Sequence, residues 1–308
     1  MALIDSGEVD ETGHPVVRNA MSARDAYLAA MQGLTHACYT FWPDIILFIS
    51  GFYLTDEHFQ LFRSRGHKIV ILHTEEPYQS EEQMKRGAYA DLNLLNDPVN
   101  IDMWRRVAPA EYFPHCYRPD VHYPRSGPVY APKASDLCFI GTAFRSRIGF
   151  FSAMDLNGID VLIGGNDWGK LPEDKLHLAK FVGTDQGAAD CVDNAQTAEL
   201  YRNAKMGINF YRRESEDEWD GRAWAMGPRE VEMAACGLPF LRDPRPESDQ
   251  LFPMLPSFSS PGEASEKLRW WIKHQREREN AAAKARAAIE DRTFRNSARR
   301  LLQRLDSL

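Results

Sequence analysis

Residues 136–164 read DLCFIGTAFRSRIGFFSAMDLNGIDVLIG and contain a complete unit of strand, helix and strand. The two ends of this stretch, 136–141 and 160–164, are continuous apolar runs. Such runs predict strands that are covered on both faces, as in a parallel sheet. The residues between them, 145–156, are expected to form a helix, and this order of elements predicts a βαβ unit.

The same alternation of apolar runs and helix-like stretches continues in both directions along the chain. Further strands are predicted at 44–50, 68–73, 90–95, 179–183, 206–211 and 238–241, and further helices at 56–65, 197–204 and 229–236. A proline-rich stretch, 117–135, is typical of an extended linker. We therefore predict an α/β protein with two Rossmann-like, doubly wound domains, 1–125 and 126–308, that face a cleft. The N-terminal domain is expected to be abbreviated, because no strand is recognised ahead of a helix at 20–39.

The composition argues against several classes of partner. The net charge is −7 in a chain of 308 residues, so no general positive field attracts nucleic acid or an anionic membrane. No apolar run reaches the length of a membrane span, and the N-terminus lacks the apolar region of a signal peptide. We expect a cytoplasmic protein. The five cysteines are scattered without a C-x-x-C pair, which predicts reduced thiols buried in the fold.

The stretch GPREVEMAACGLP, residues 227–239, carries the clearest chemical signal. Pro228 suits the first position of a helix, and Arg229 and Glu232 are three residues apart on one face of its first turn. A helix N-terminus attracts phosphate, arginine adds a fork of donors, and a carboxylate can accept the hydroxyls of a ribose. The pattern favours a nucleoside diphosphate site. An amphipathic helix with solvated Arg229 and Glu232 explains the spacing equally well.

Residues 228–239 resemble the R-x-x-E-x-x-A-x-G-x-P signature of GT-B glycosyltransferases, especially the CgeB-like spore-maturation group related to glycosyltransferase family 4. Three more segments resemble elements of that group in the same order: LHTEEPY at 72–78, YFPHCYRPDVH at 112–122 and LCFIGTAFRSR at 137–147. The resemblance runs from about residue 44 to residue 258. Each motif alone is weak, and the combination is fairly specific.

The resemblance implies donor-binding roles for five residues. Glu232 matches the glutamate that holds the donor ribose, and Arg229 matches the residue beside the donor phosphates. Gly141, Thr142 and Arg147 match a phosphate-facing loop. A glycine that ends a strand lets backbone N–H groups approach an anion, although a solvated helix start explains Arg147 as well.

The resemblance also implies an activity. We expect a hexosyltransferase-like enzyme that moves a sugar from a nucleoside-diphosphate sugar, UDP- or GDP-linked, to a hydroxyl of an acceptor. The acceptor could be a protein, a polysaccharide or a small molecule, and nucleic acid is an unlikely partner. No metal or other cofactor is expected, because arginines and helix dipoles neutralise the leaving diphosphate in such sites. Two alternatives stay open: a GT-B nucleotide-sugar epimerase or hydrolase, and a catalytically silent nucleotide-binding or assembly protein.

The catalytic base is sought at strand ends, where open α/β sheets place their sites. The candidates are Glu75, Glu76, Asp97 and His115, and we assign catalysis to Glu75 and His115. Glu75 directly follows a buried strand, and a capping charge before a turn explains it equally well. For His115, a histidine bonded to the linker backbone is the commoner role.

Two further features complete the expectations. Family 4 enzymes usually carry a second acidic residue eight positions before the ribose glutamate, where this chain has Trp224. The acidic run 214–220 is interpreted as a solvated loop beside the donor site that could act as a lid. The C-terminal stretch is expected to form an amphipathic helix that packs on the body through one apolar stripe, Phe294, Ala298, Leu301, Leu302 and Leu305.

Overall fold

The structure, a computed structural model, describes residues 4–9, 15–18, 22–78, 80–125, 135–183, 192–214, 223–306 and 308. The strands are β1 (Ile4–Val9), β2 (Pro15–Arg18), β3 (Ile45–Ile49), β4 (Lys68–His73), β5 (Leu92–Leu95), β6 (Ala110–Tyr112), β7 (Ser135–Ile140), β8 (Val161–Gly164), β9 (Ala204–Asn209) and β10 (Phe240–Arg242). The α-helices are α1 (Ala23–Phe41), α2 (Asp56–Ser64), α3 (Ser80–Gly87), α4 (Ile101–Val107), α5 (Arg145–Ala153), α6 (Asn194–Arg202), α7 (Pro228–Ala235), α8 (Pro246–Leu251), α9 (Pro261–Lys273), α10 (Gln275–Ala288) and α11 (Phe294–Leu305).

The chain divides into two compact units. One unit comprises Met1–Leu47 with Thr55–Ile69, and the other comprises Phe48–Leu54 with Val70–Leu308. The predicted domain boundary at 125/126 falls at the start of residues 126–134, which lie outside the described residues, and it stays a prediction. Residues 126–134 of the predicted linker, 117–135, lie there too, whereas 117–125 are described.

The smaller unit begins with an antiparallel pair, β1 and β2, followed by α1. Ser22 caps α1 by accepting a hydrogen bond from the backbone N–H of Asp25, and Trp42 ends the helix in the left-handed region with φ 48°. An antiparallel pair therefore stands where a Rossmann domain has its first parallel strand.

The strands β3 to β6 form a four-stranded sheet in the order β3-β4-β5-β6. β4, β5 and β6 pair in parallel, with Val70 opposite Leu92 and Asn93 opposite Ala110. The predicted strands at 44–50, 68–73 and 90–95 are confirmed as β3, β4 and β5. β6 was missed because three residues are too few to show a pattern.

The strands β7 to β10 form a second sheet, in the order β10-β9-β7-β8, and every pair is parallel. The chain first moves from β7 outward to β8 and then crosses to the other side of β7 at β9. This reversal is the topological switch point at which open α/β sheets bind ligands. The predicted α/β class with parallel strands is confirmed.

Two apolar clusters cover the two faces of the second sheet. Cys138 and Ile140 of β7 pack into a cluster with residues of α6, α7 and α10. Leu137 and Phe139 of the same strand pack into the other cluster with residues of α5 and α9. Because both faces are buried, the strand has no polar face, and this explains the continuous apolar run seen in the sequence.

One predicted strand is wrong. Residues 179–183 lie at the end of a 3-10 helix, Glu173–Phe181, which buries Leu178. Val182 forms a single bridge to Ile163 at the outer edge of β8, and the backbone N–H of Gly183 donates to the carbonyl of Ile163 at 3.0 Å. The apolar run is too short to extend the ladder beyond that one residue.

The C-terminal helix is confirmed in position and corrected in packing. α11 follows a bridge between Tyr117 and Thr293, so its start is anchored to the body. Its buried residue is Ser297, whereas Phe294 and Leu302 from the predicted stripe are 54% and 62% exposed. Polar contacts therefore join part of the apolar stripe in holding the helix: Ser297 Oγ lies 2.9 Å from Cys116 Sγ, Arg304 pairs with Glu111, and Leu301 and Leu305 are half-buried.

Four cysteines, Cys38, Cys116, Cys138 and Cys236, are free and buried, as predicted, and Cys191 lies outside the described residues. Within the described part of the chain, no helix has the length and apolar character that crossing a membrane requires.

Candidate nucleotide-binding site

A cleft of about 270 Å³ opens at the carboxyl ends of β7 and β8. Its walls are the loops after these two strands, the helix α6 and the first turns of α7. Gly141, Thr142, Arg229 and Glu232 all line it, so four of the five predicted donor-binding residues meet at one place. Asn194, Thr197 and Tyr201 of α6, together with Gly165 and Asn166 after β8, complete most of the lining.

The side chain of Arg229 lies directly over the loop after β7. Its Nε donates a hydrogen bond to the carbonyl of Ile140 at 2.6 Å. A Cβ atom placed on Gly141 would come within 2.8 Å of Nη2 of Arg229. The glycine is therefore needed so that the guanidinium can cover the loop, and it leaves the backbone accessible to a bound anion.

A second glycine, Gly165 after β8, packs directly against the backbone of Gly141. Gly165 has φ 118°, a conformation that only glycine adopts easily, and a Cβ atom there would lie 2.5 Å from the carbonyl oxygen of Gly141. Trp168 donates its indole N–H to the same carbonyl at 2.7 Å. These contacts fix the loop, and the Gly164-Gly165 pair after a strand was the available sequence signal.

Arg147 lies beneath the loop instead of lining the cleft. It is 3% exposed, and it donates hydrogen bonds to the carbonyls of Thr142 and Phe210, both at 3.1 Å. Burial and the neighbouring Arg229 lower the pKa of its guanidinium to about 9. Arg147 thus adds positive charge close to the loop while it holds the backbone of Thr142, and direct contact with phosphate stays a prediction.

The carboxylate of Glu232 faces the cleft with 18% of its side chain exposed. Desolvation raises its pKa to about 7, against the opposing influence of Arg229. No donor lies within hydrogen-bond distance of this carboxylate among the residues that the structure describes. A half-buried acceptor that faces a cleft and has no donor is suited to receive the hydroxyl groups of a ligand.

This raised pKa predicts a pH dependence of donor binding. Ribose hydroxyls donate to the ionised carboxylate, so the pKa of Glu232 falls in the complex, and binding releases a proton wherever the free carboxyl is protonated. The affinity for UDP-glucose should therefore rise by up to about tenfold per pH unit below pH 7 and become constant above it. Calorimetry between pH 5.5 and 8.5 measures this, and E232Q should show a flat profile. Identical profiles for the parent and E232Q would contradict the assignment.

The orientation of α7 depends on Glu230, which sequence reasoning passed over. This carboxylate is fully buried and accepts hydrogen bonds from Asn209 at 2.6 Å, Tyr211 at 2.6 Å and Ser248 at 2.5 Å. The hydroxyl of Tyr211 also accepts the backbone N–H of Gly227, the residue before the helix. The network ties the start of α7 to the end of β9. Glu230 lies on the opposite side of the helix from Glu232, and nothing in the sequence indicated that Glu230 would be the centre of a buried network.

Glu75 forms an ion pair with Arg212, which lies near the arginines of the site. Its Oε2 is 3.0 Å from Nη2 of Arg212, whose guanidinium also lies 4.6 Å from the ring centre of Tyr78. Arg212 is close enough to Arg147 to affect its pKa. The side chain of Glu75 is 38% exposed, so its carboxylate is accessible to solvent. Glu75 does not line the cleft.

The other carboxylate candidates are engaged in structural bonds. Glu76 is 2% exposed and accepts hydrogen bonds from Ser80, Asn100 and Trp104. Because its oxygens are occupied, Glu76 is a poor choice for a base.

Asp97 is likewise occupied. It is 2% exposed and accepts the backbone N–H groups of Val99, Trp224 and Ala225 at 2.8 to 2.9 Å. Family 4 enzymes usually have an acidic residue at the position of Trp224. Here a carboxylate lies beside that position, but it comes from Asp97 and holds the loop that precedes α7.

His115 is half-buried and does not line the cleft. Burial lowers the pKa of its imidazole to about 4, with Glu247 and Arg292 acting in opposite directions. An imidazole with this pKa is neutral at pH 7 and only weakly basic, so the structure offers little support for it as a base; its catalytic role stays a prediction.

The predicted lid falls mostly outside the described residues, which end at Glu214 and resume at Ala223. Glu214 itself accepts hydrogen bonds from the backbone N–H and the hydroxyl of Ser146, at 2.6 and 2.7 Å. It therefore caps the start of α5, although the sequence suggested a solvated residue.

The comparison with family models matches residues 145–303, just over half of the chain, to the glycosyl transferase-like family. The chain belongs to the glycosyl transferase-like family. The matched region begins at α5 and includes α6, α7 and the segment with Arg229 and Glu232. Membership of the CgeB-like group is a finer assignment that stays a prediction. No curated protein matches the sequence.

Solved structures of the GT-B type are similar to the chain over most of its length. Sucrose-phosphate synthase from Thermosynechococcus elongatus has a TM-score of 0.63 at 12% identity, with 99% of this chain and 85% of that chain covered. The trehalose-6-phosphate structure from E. coli bound with UDP-2-fluoro glucose has a TM-score of 0.63 at 12% identity, with 93% and 78% covered. The UDP-forming α,α-trehalose-phosphate synthase from Burkholderia vietnamiensis has a TM-score of 0.62 at 12% identity, with 94% and 79% covered. At this identity the likeness establishes the fold.

Proposed function

We propose that this protein is a glycosyltransferase that moves a sugar from a UDP- or GDP-linked donor to a hydroxyl group of an acceptor. The observation that carries the proposal is the convergence of Gly141, Thr142, Arg229 and Glu232 in one cleft. The family and the similar structures, one of them bound with UDP-2-fluoro glucose, support it. The CgeB-like group and a hexose as the transferred sugar are finer parts of the same proposal.

In this proposal the ribose hydroxyls donate to Glu232, and the diphosphate lies over the loop after β7. The N–H groups at the start of α7 and the guanidinium of Arg229 stabilise its charge, with Arg147 adding positive charge from beneath. Backbone dipoles and arginines then do the neutralisation that a metal ion does in other sites, so we propose transfer without a metal or other cofactor.

The transfer breaks the bond between the anomeric carbon and the diphosphate oxygen and forms a bond from that carbon to the acceptor oxygen. The leaving diphosphate keeps the electron pair, and the hydroxyl proton must pass to a base. We propose Glu75 as that base, because its carboxylate keeps solvent access and its ion pair with Arg212 holds it near the arginines. His115 is the second candidate.

Donor turnover tests the proposed function directly. A thermal-shift screen with UDP-, GDP-, TDP- and ADP-sugars selects the donor, since a ligand that binds the native state raises its apparent stability. Release of nucleoside diphosphate that depends on an added acceptor is the expected result. Release without acceptor would indicate a hydrolase, epimerisation without release an epimerase, and binding without turnover a silent nucleotide-binding protein.

The substitution E75Q should remove turnover and keep donor affinity. Glutamine retains the size of the side chain but cannot take a proton, so we expect a 10²- to 10⁴-fold lower kcat with an unchanged Kd for the donor. The control is E263Q, which changes a similarly exposed carboxylate in an ion pair with Lys267 on α9. Turnover of E75Q within about twofold of the control would exclude Glu75 as the base.

A further inference from the structure

Beneath the carboxylate of Glu232 lies a histidine from a distant part of the chain. His122 is the last residue of the segment 112–122 that the sequence singled out, and it is 2% exposed. Its Nε2 is 3.9 Å from Oε1 of Glu232. The residues are 110 positions apart in sequence, so this contact is made only by the fold.

The bonding of the opposite ring nitrogen sets the tautomer of His122. Its Nδ1 accepts the backbone N–H of Arg118 at 3.2 Å, and therefore carries no proton. In the neutral imidazole the proton is then on Nε2, which makes Nε2 a donor. Burial lowers the pKa of His122, which favours this neutral form.

By the geometry of the described residues, this donor makes no hydrogen bond. The side chain of Asn194 on α6, which lines the cleft, is a competing partner: its hydrogen bonding raises the pKa of His122, against the larger effect of burial. The buried donor His122 Nε2 and the half-buried acceptor Glu232 Oε1 thus lie just beyond hydrogen-bond distance, 3.9 Å apart. A movement of about 1 Å by the flexible Glu232 side chain closes the gap to an ordinary hydrogen bond.

We propose that His122 is a positioning residue for the ribose-binding carboxylate. In the nucleotide complex it donates its Nε2–H to one oxygen of Glu232, and the carboxylate is then held in the orientation that accepts the ribose hydroxyls. The proposal rests on the proposed function of the cleft. It gives the histidine at the end of the 112–122 segment a specific purpose, which is to support a residue that itself contacts the ligand.

Two substitutions test separately the bond that Nδ1 of His122 accepts from Arg118 and the bond that Nε2 would donate to Glu232. H122N keeps an acceptor near the position of Nδ1, so the bond from Arg118 is retained, but it removes the donor towards Glu232. H122Q places an amide N–H near the position of Nε2 and restores that donor. We expect UDP affinity to fall about tenfold in H122N and to recover in H122Q.

The probe that distinguishes positioning from general support is 2′,3′-dideoxy-UDP, which lacks both ribose hydroxyls. If His122 acts through Glu232 on these hydroxyls, H122N should bind the dideoxy analogue as well as the parent does. A tenfold loss for both ligands would overturn the role of His122 and leave the cleft assigned. Failure of the parent to bind either UDP or GDP would overturn the donor site and, with it, this inference.

A measurement on the parent protein avoids dependence on the folding of H122N. Addition of UDP should move the imidazole ¹⁵N resonance of His122 Nε2 towards that of a hydrogen-bonded N–H, while Nδ1 stays unprotonated. 2′,3′-Dideoxy-UDP should leave the resonance in place. An Nε2 resonance that does not respond to bound UDP would overturn the proposal.

Discussion

Replacing Glu232 or Arg229 with alanine is expected to abolish detectable donor binding while the protein stays folded. Glu232 offers the ribose an ionised acceptor, and each hydrogen bond to a charged group contributes about 1.5–3 kcal/mol, so the loss should be at least about 100-fold in Kd. Arg229 supplies the charge over Gly141, and its removal should cost a similar factor. Calorimetry with the donor chosen by the thermal-shift screen measures both.

A matched control for R229A is R269A, which removes an arginine of α9 that pairs with Asp155 at 2.8 Å. This variant should bind the donor like the parent. Both cleft variants should keep the parent melting temperature to within a few degrees, because Arg229 and Glu232 are partly exposed. Parent-like affinity in either cleft variant would remove that residue from the site.

Unlike R229A and E232A, the substitution E230A should lower the stability of the folded protein, by more than any other change considered for α7. It leaves the amide of Asn209 and the hydroxyls of Tyr211 and Ser248 without their acceptor in a fully buried place. We expect the free energy of unfolding to fall by about 3 kcal/mol or more. Urea denaturation followed by circular dichroism measures this quantity.

The matched control is E232A, two residues further along the same helix. E230A should unfold at a clearly lower urea concentration than E232A, which in turn should lose the nucleotide. A pair of variants with equal stability would contradict the role given to the network around Glu230. The comparison is sharp because the two glutamates share a helix and differ in which side of it they occupy.

Much of the fold was predictable from the sequence because β7, β8 and β9 are buried on both faces. Burial on both faces leaves a continuous apolar run, and the Gly-Pro start and Gly237 end of α7 are direct helix signals. The exceptions were short or ambiguous elements. β6 has three residues, and the apolar run at 179–183 makes a single bridge, so neither length nor pattern determines their structure.

The candidate site was predictable where its residues are close in sequence. Gly141 and Thr142 follow a strand, and Arg229 and Glu232 begin a helix, so local patterns together with the family resemblance indicated them. The roles of Trp168 and His122 were not predictable, because these residues reach the loop after β7 and the carboxylate of Glu232 only through long-range packing.

The carboxylates show a second limit of sequence reasoning. Glu75 and Glu76 are neighbours after the same strand, yet one keeps solvent access and the other is buried among three donors. Adjacent residues of the same type differ in such contacts only once the surrounding helices are in place. Their separation into a candidate base and a structural residue therefore required the structure.

The loops after β7 and β8 are locked against each other by Gly141 and Gly165, whereas α6 contributes side chains to the same cleft. For protein engineering, the two glycine positions have no room for a Cβ atom unless neighbouring atoms move, whereas α6 lines the cleft with side chains. Libraries intended to change which nucleotide is accepted belong at Val192 and Thr197, with both glycines kept constant. The same constraint applies in evolution. Related chains should therefore keep both glycines, and differences in their nucleotide preference should follow differences in the residues of α6.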